Sequence, residues 1–185
     1  VYIKQGDFQQ AKDYHARALD ICLKQLGPEH VDVADSYNYL GTVFRHLSDF
    51  QQAQDYYARA LDIRLKQLGP DHVHVAASYN SLGTVYSDLG DFQQAQDYYA
   101  RALDIRLKQL GPNHVDVADS FNSLGTVYSD LGDFQQAQDY YTRSLDIRLK
   151  QLGPEHGYVA ASYNNLGTVY IKQGDFQQAK DYHAR

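Results

Sequence analysis

A 42-residue period constrains this chain more than anything else in it: Gln-Leu-Gly-Pro, one variable residue and His recur at 25–30, 67–72, 109–114 and 151–156. Self-similarity at that spacing marks stacked supersecondary units, none of which buries its apolar face alone, so the chain reads as an array. Complete repeats span 30–71, 72–113 and 114–155, with partial repeats at 1–29 and 156–185, all within a single array over 1–185. Residues 1–17 return letter for letter at 169–185, four periods later. There is no Met, so Val1 and Arg185 read as cuts inside repeats of a longer array.

Within the repeat 30–71, Val33, Ala34, Tyr37, Leu40, Gly41, Phe44 and Leu47 recur at helical spacing and predict one buried face of a helix A from about Val31 to Leu47. The Gly27-Pro28 pair stops any helix entering from before. Asp49 with Gln52 three residues on is a capping signal that opens helix B. Helix B then points Phe50, Ala53, Tyr56, Tyr57, Ala60, Leu61, Ile63 and Leu65 inward until Gly69-Pro70. Its outer side carries Asp55 with Arg59 and Asp62 with Lys66, oppositely charged pairs one helical turn apart.

Tyr37, Leu40-Gly41, Phe44, Ala53, Tyr57 and Ala60 follow the spacing large-x2-Leu-Gly-x2-aromatic, then Ala-x3-aromatic-x2-Ala, which resembles the tetratricopeptide repeat. The extension Lys-Gln-Leu-Gly-Pro-x-His-Val makes it similar to the 42-residue form of kinesin light chains and of the sensor arrays of some NTPase-linked receptors. That resemblance implies an all-α solenoid, antiparallel helix pairs wound into a right-handed superhelix with helix A lining a concave groove. Departures are few: Val31, Val73, Val115 and Gly157 stand where Pro is usual, and Ser48 stands where the other repeats carry Gly90, Gly132 and Gly174. Gly157 is expected to loosen the start of its helix.

Repeats differ mainly at helix A positions 32 (Asp32, His74, Asp116, Tyr158), 35 (Asp35, Ala77, Asp119, Ala161), 39 (Tyr39, Ser81, Ser123, Asn165), 45 (Arg45, Ser87, Ser129, Ile171) and 46 (His46, Asp88, Asp130, Lys172). At about 100° per residue these fall opposite the core stripe, on the expected groove wall. Exposed helix B positions such as Gln51, Gln52, Asp55, Arg59 and Asp62 do not vary among complete repeats, which favours groove specificity over general drift. Asn38, Asn80, Asn122 and Asn164 lie beside the core in every complete helix A, and an amide suits either an extended peptide backbone or a neighbouring helix. The kinesin light chain family uses Asn at this motif position in its peptide groove, a role the resemblance implies for these four.

The expected wall is acidic: Asp32, Asp35, Asp88, Asp116, Asp119 and Asp130 outnumber Arg45 and Lys172, with His46 and His74 largely neutral. Kinesin light chains favour acidic cargo peptides, which such a wall repels. The expected ligand is a basic extended segment or a partner helix, steered by charge and weakened by salt, with Tyr39 and Tyr158 as aromatic anchors.

Net charge of −6 argues against a nucleic-acid partner, and no apolar stretch approaches the length of a membrane span. A single cysteine excludes an internal disulfide framework. Cys22 sits where the other repeats carry Arg64, Arg106 and Arg148 and reads as an exposed spare thiol. His30, His72, His114 and His156 occur once per repeat, too far apart for one metal ion, and read as helix-start caps. No phosphate loop, nucleophile elbow or Cys/His pair is present, so no enzymatic activity, metal or cofactor is expected. The cytoplasm is the default compartment. Two functions remain: an interaction scaffold, and a self-associating array in which sections stack head to tail into an open-ended filament.

Overall fold

The computed structural model describes residues 7–183, so the expected final turn of a helix A at Val1 to Gln5 lies outside the described residues. These residues form nine α-helices and no strand. The chain divides into two compact units, Val1–Asp91 and Phe92–Arg185. In the first, α1 (Phe8–Leu26), α2 (Val31–His46), α3 (Phe50–Leu68) and α4 (Val73–Asp88) follow one another. The second holds α5 (Phe92–Leu110), α6 (Val115–Asp130), α7 (Phe134–Leu152), α8 (Gly157–Gln173) and α9 (Phe176–His183).

The loop chemistry explains the boundaries. Each Gly-Pro ends a helix: Gly69 adopts φ 83°, its N–H reaching back to the Leu65 carbonyl. The next His is the N-cap, and its Nδ1 accepts the N–H two residues on, at 3.2 Å for His30 and 3.1 Å for His114. Helix B opens on Asp, whose carboxylate accepts the N–H of Gln52 at 3.2 Å from Asp49 and of Gln136 at 3.1 Å from Asp133. Gly157 does not delay its helix, which starts at the same register on the His156 cap. Between helices A and B the chain turns through a left-handed residue: Gly132 has φ 81°, and Ser48 is the one non-glycine at positive φ, 60°, among the described residues.

In the first unit Val33, Ala34, Ala60 and Ile63 form a core onto which Leu19, Cys22, Leu23 and Tyr37 pack. In the second, Val117, Ala118, Phe121 and Ile147 do the same with Leu103, Leu107 and Tyr140. Helix A meets helix B closely where Gly41 faces the Tyr57 ring: a Cβ there would lie 2.7 Å from ring carbons, which is why the position carries glycine. The phenol hydroxyl of Tyr57 then shares a 3.0 Å hydrogen bond with Thr42, as Tyr141 does with Thr126.

Two expectations need correction. Leu47 is 41% exposed, and Leu89 and Leu131 are 50%, because each is the C-cap, where the chain already swings away from the core stripe. Val43 is buried in its place, at 1% exposure. Arg64 and Arg148 are buried rather than exposed, and Cys22, at the corresponding position, is half-buried and accepts a weak hydrogen bond from Ser36 at 3.8 Å.

Candidate functional site

The outward face of helix A is built around those arginines. Arg64 leaves α3 and donates Nη2 to Asp35 of α2 at 2.6 Å, and Nη1 to the Ser78 hydroxyl at 2.6 Å and the His74 carbonyl of α4 at 3.3 Å. One guanidinium therefore fixes three helices of the first unit. Arg148 repeats this in the second, reaching Asp119 of α6 at 2.7 Å and Ser162 of α8 at 2.8 Å. Burial of each arginine is tolerated because the planar fork meets a carboxylate, a hydroxyl and a carbonyl, although both Nε atoms stay unpaired. Arg106 holds Ser120 at 2.6 Å and the Asp116 carbonyl at 3.1 Å. Burial pushes its guanidinium down from the ordinary value, opposed by the charges of Asp116 and Asp119.

Other wall charges are also paired. Arg45 donates to Asp88 at 2.9 Å, and Lys172 reaches the Ser129 hydroxyl at 3.0 Å and Asp130 at 3.5 Å. Asp35, Asp88, Asp119 and Asp130 are thus each neutralised by a cation of the chain itself. Asp32 and Asp116 are the more open acids, 63% and 49% exposed, with only a capping imidazole at 3.8 and 3.9 Å.

Two of the four asparagines bond between repeats. Asn38 Oδ1 accepts from the Ser81 hydroxyl at 3.4 Å, and Asn122 Oδ1 accepts from Asn165 at 2.9 Å. Asn164 Oδ1 lies 3.2 Å from His183 Nδ1, and Asn80 Oδ1 is buried without a partner. Using the oxygen this way orients the amide and leaves Nδ2 of Asn38 and Asn122 as a donor. Tyr39 is 56% exposed with its ring stacked on His15 at 5.2 Å, and His46 stacks on Phe8 at 5.0 Å. Tyr158, 55% exposed, lies with its ring 5.4 Å from the Arg148 guanidinium.

The arginine staple was missed from sequence, although its signal is present: Arg recurs at 64, 106 and 148, and Ser at 36, 78, 120 and 162, both at the repeat period. Among the described residues no group of three or more His, Cys, Asp or Glu is placed to hold a metal ion, and no helix is long and apolar enough to cross a membrane.

Stacked helical hairpins tied to one another by buried side chains define a repeat scaffold, a class that offers an extended face. The chain belongs to the tetratricopeptide repeat family, whose model matches residues 1–66, 38–108, 75–150 and 116–185. Among solved structures it is similar to BtubC (BKLC) from P. vanneervenii, with 28% identity over 97% of this chain and 72% of that one and a TM-score of 0.84. A Podosopora anserina putative kinesin light chain with nearly identical TPR-like repeats is 25% identical over 96% of this chain and 84% of that one, with a TM-score of 0.77. MamA, at 20% identity over 100% of this chain and 93% of that one, shares the fold with a TM-score of 0.63. No curated protein matches the chain. Tetratricopeptide repeats mediate protein–protein interaction and scaffolding.

Proposed function

We propose that this chain is a non-enzymatic interaction scaffold whose helix A face holds an extended, basic segment of a partner protein. The observation that carries the reading is the state of two asparagines, one in each unit: the Oδ1 of Asn38 and of Asn122 is engaged by the next repeat, which orients the amide. An amide oriented in this way has its Nδ2 to offer to a carbonyl of an extended backbone within each unit. Asp32 and Asp116, the open acids beside it, favour Lys or Arg on that segment, and Tyr39 and Tyr158 offer rings to its apolar groups. The test is a peptide array of Lys/Arg-containing and Asp/Glu-containing 12-mers, with titration calorimetry on the hits. Basic peptides are expected to bind and the Asn38→Ala/Asn122→Ala variant to weaken them by about tenfold or more, since two backbone hydrogen bonds are lost. Capture of acidic peptides alone, or affinity indifferent to the double variant, refutes the reading.

A second reading, head-to-tail self-association, is favoured by one separate observation: ten residues of α1 recur unchanged in the segment that begins α9, in a different environment.

A further inference from the structure

Helices α2, α4, α6 and α8 each open on a histidine whose Nδ1 accepts the N–H two residues on: that of Asp32 at His30 (3.2 Å), His74 at His72 (3.1 Å), Asp116 at His114 (3.1 Å) and Tyr158 at His156 (3.2 Å). An accepting Nδ1 carries no hydrogen, so these bonds fix the neutral ring with its proton on Nε2. A proton added at Nδ1 turns the acceptor into a donor aimed at an N–H, and sets a positive charge at the positive end of a helix. Protonation and capping therefore exclude one another. The caps differ in what receives the displaced ring. The same Nδ1 lies 3.8 Å from a carboxylate oxygen of Asp32 in the first unit and 3.9 Å from one of Asp116 in the second. At those separations a small ring rotation makes a charge-assisted hydrogen bond. His72 and His156 have no acid two residues on; their rings meet His74 edge-on at 5.0 Å and Tyr158 at 5.2 Å.

Surrounding charges leave these two acids to histidine. Asp35 and Asp119, three residues further along, are held by Arg64 and Arg148 at 2.6 and 2.7 Å. On α1 and α3, Lys24 pairs with Asp20 at 2.5 Å, and Lys66 pairs with Asp62 at 2.6 Å and with Glu29, next to His30, at 3.7 Å. In the second unit Lys108 of α5 pairs with Asp104 at 2.6 Å, Lys150 stands in the last turn of α7, and Asn113 takes the place of Glu29. Arg106 of α5 sets the two units apart. Its Nη1 donates to the Asp116 carbonyl at 3.1 Å, whereas the corresponding residue before α2 is the thiol Cys22. The His30–Asp32 pair is thus spared the repulsion that Arg106 exerts on an imidazolium at His114.

We propose that His30 and His114 make partner binding acid-sensitive: on protonation each imidazole gives up its capping bond and takes the carboxylate of Asp32 or Asp116, withdrawing the charge that attracts a basic segment. This rests on the partner-binding reading above, in which those two acids are the open ones. One proton from water is taken up at Nδ1 in each unit; the N–H···Nδ1 bond breaks and an Nδ1–H···Oδ bond forms. The first turn of α2 or α6 loses its cap in the same step, so the acid is both masked and held less firmly. At His72 and His156 protonation costs the cap and masks nothing. The basic segment is thus held at neutral pH and released on acidification, with the larger response in the first unit.

Heteronuclear NMR of the full chain between about pH 7.5 and about pH 5.5 reads the switch without any ligand. The ring nitrogens of His30 and His114 are expected to pass from the Nε2–H form to the doubly protonated form, with the amide and carboxylate signals of Asp32 and Asp116 moving in step. His30→Asn and His114→Asn identify those signals and, because Asn caps at either pH, hold the amides in place. Rings that gain the proton while the two amides and carboxylates stay unmoved overturn the switch. Its effect on binding is read by titration calorimetry with a Lys/Arg-containing 12-mer at the same two pH values. The parent is expected to lose about threefold or more in affinity on acidification, as for two exposed charges masked, and the His30→Asn/His114→Asn variant to keep most of it. Other imidazoles, His46 and His74 among them, are unchanged in the variant and cancel in the comparison. An equal loss in parent and variant overturns the gating. No binding of basic peptides at about pH 7.5 refutes the partner reading instead, and the NMR titration then still decides whether the caps trade for the carboxylates.

Discussion

Replacing Asp35 by Ala removes the carboxylate from a guanidinium that is 7% exposed and already has one unpaired nitrogen. Breaking a fully buried pair destabilises by about 3–5 kcal/mol, whereas a hydrogen bond to a charged group contributes about 1.5–3 kcal/mol. Here the Asp35 side chain is 43% exposed, so water reaches Nη2 once the carboxylate is gone, while Nη1 keeps Ser78 and the His74 carbonyl. That places the expected loss at about 1–2 kcal/mol, below the buried-pair range because one partner stays wet. Asp62→Ala, which breaks an exposed, water-screened pair one helical turn long with Lys66, is the control and should lose far less. The assay is urea unfolding followed by far-UV circular dichroism, with Asp119→Ala as the equivalent in the second unit. Adding Arg64→Met to Asp35→Ala removes the stranded charge and is expected to recover most of the loss. An Asp35→Ala variant no less stable than Asp62→Ala, or a double variant worse than both singles together, refutes the view that Asp35 serves the fold through Arg64.

Ser48→Gly relieves the one positive φ held by a side-chain-bearing residue; left-handed backbone costs an L-residue about 1–2 kcal/mol and glycine's extra unfolded freedom returns part of it, so a gain of about 0.5–1 kcal/mol is expected in the same urea assay. Gly125→Ala places a Cβ 2.7 Å from the Tyr141 ring, in a packed core that can yield only by shifting helices, and is expected to lose about 1–3 kcal/mol, read as an earlier unfolding midpoint. Burial raises the Tyr57 and Tyr141 phenols above the ordinary value of 10.0, with Thr42 and Thr126 pulling the other way. Below 10.0 both states hold the proton and pH has no effect through these groups; above it the unfolded chain releases protons that the fold retains, so stability falls as pH rises. Comparing urea midpoints near pH 8 and near pH 11, the parent should lose more than Tyr57→Phe/Tyr141→Phe, which cannot ionise at those sites.

Helix limits were legible because local chemistry sets them. The Gly-Pro stop, the His cap and the Asp cap each act within four residues, and α2 begins at Val31 as the cap places it and ends at His46, one residue before the expected Leu47. Periodicity also singled out Asp35, Asp88, Asp119 and Asp130 as positions off the core stripe of helix A. It did not give their partners, because Arg64 lies 29 residues from Asp35 and Arg45 lies 43 from Asp88, separations that only tertiary packing closes. The position of Arg64 and Arg148 was read through Cys22 as exposed, and it is buried because a neighbouring hairpin supplies Ser78 or Ser162 to cover it. Leu47 failed in the opposite sense: the angle was inward, but the helix had ended.

The pairing changes which charges report on a partner. Reversing Asp35 or Asp119 alters the staple as well as the surface, so lost capture in such variants would mix weakened packing with weakened attraction. Asp32 and Asp116 are free of the staple's side-chain pairs: both are open, and each stands in the first turn of its helix beside the capping His. Lys at either position would oppose the helix dipole, costing about 0.3–1 kcal/mol, so the neutral Asn is the cleaner replacement. A basic peptide should lose affinity for the Asp32→Asn/Asp116→Asn variant, and the loss should shrink at high salt, since exposed charges separated by more than a Debye length of about 8 Å at physiological ionic strength are largely screened. Equal affinity for parent and variant at low salt would remove attraction by these acids from the account and leave the asparagine donors to carry recognition alone.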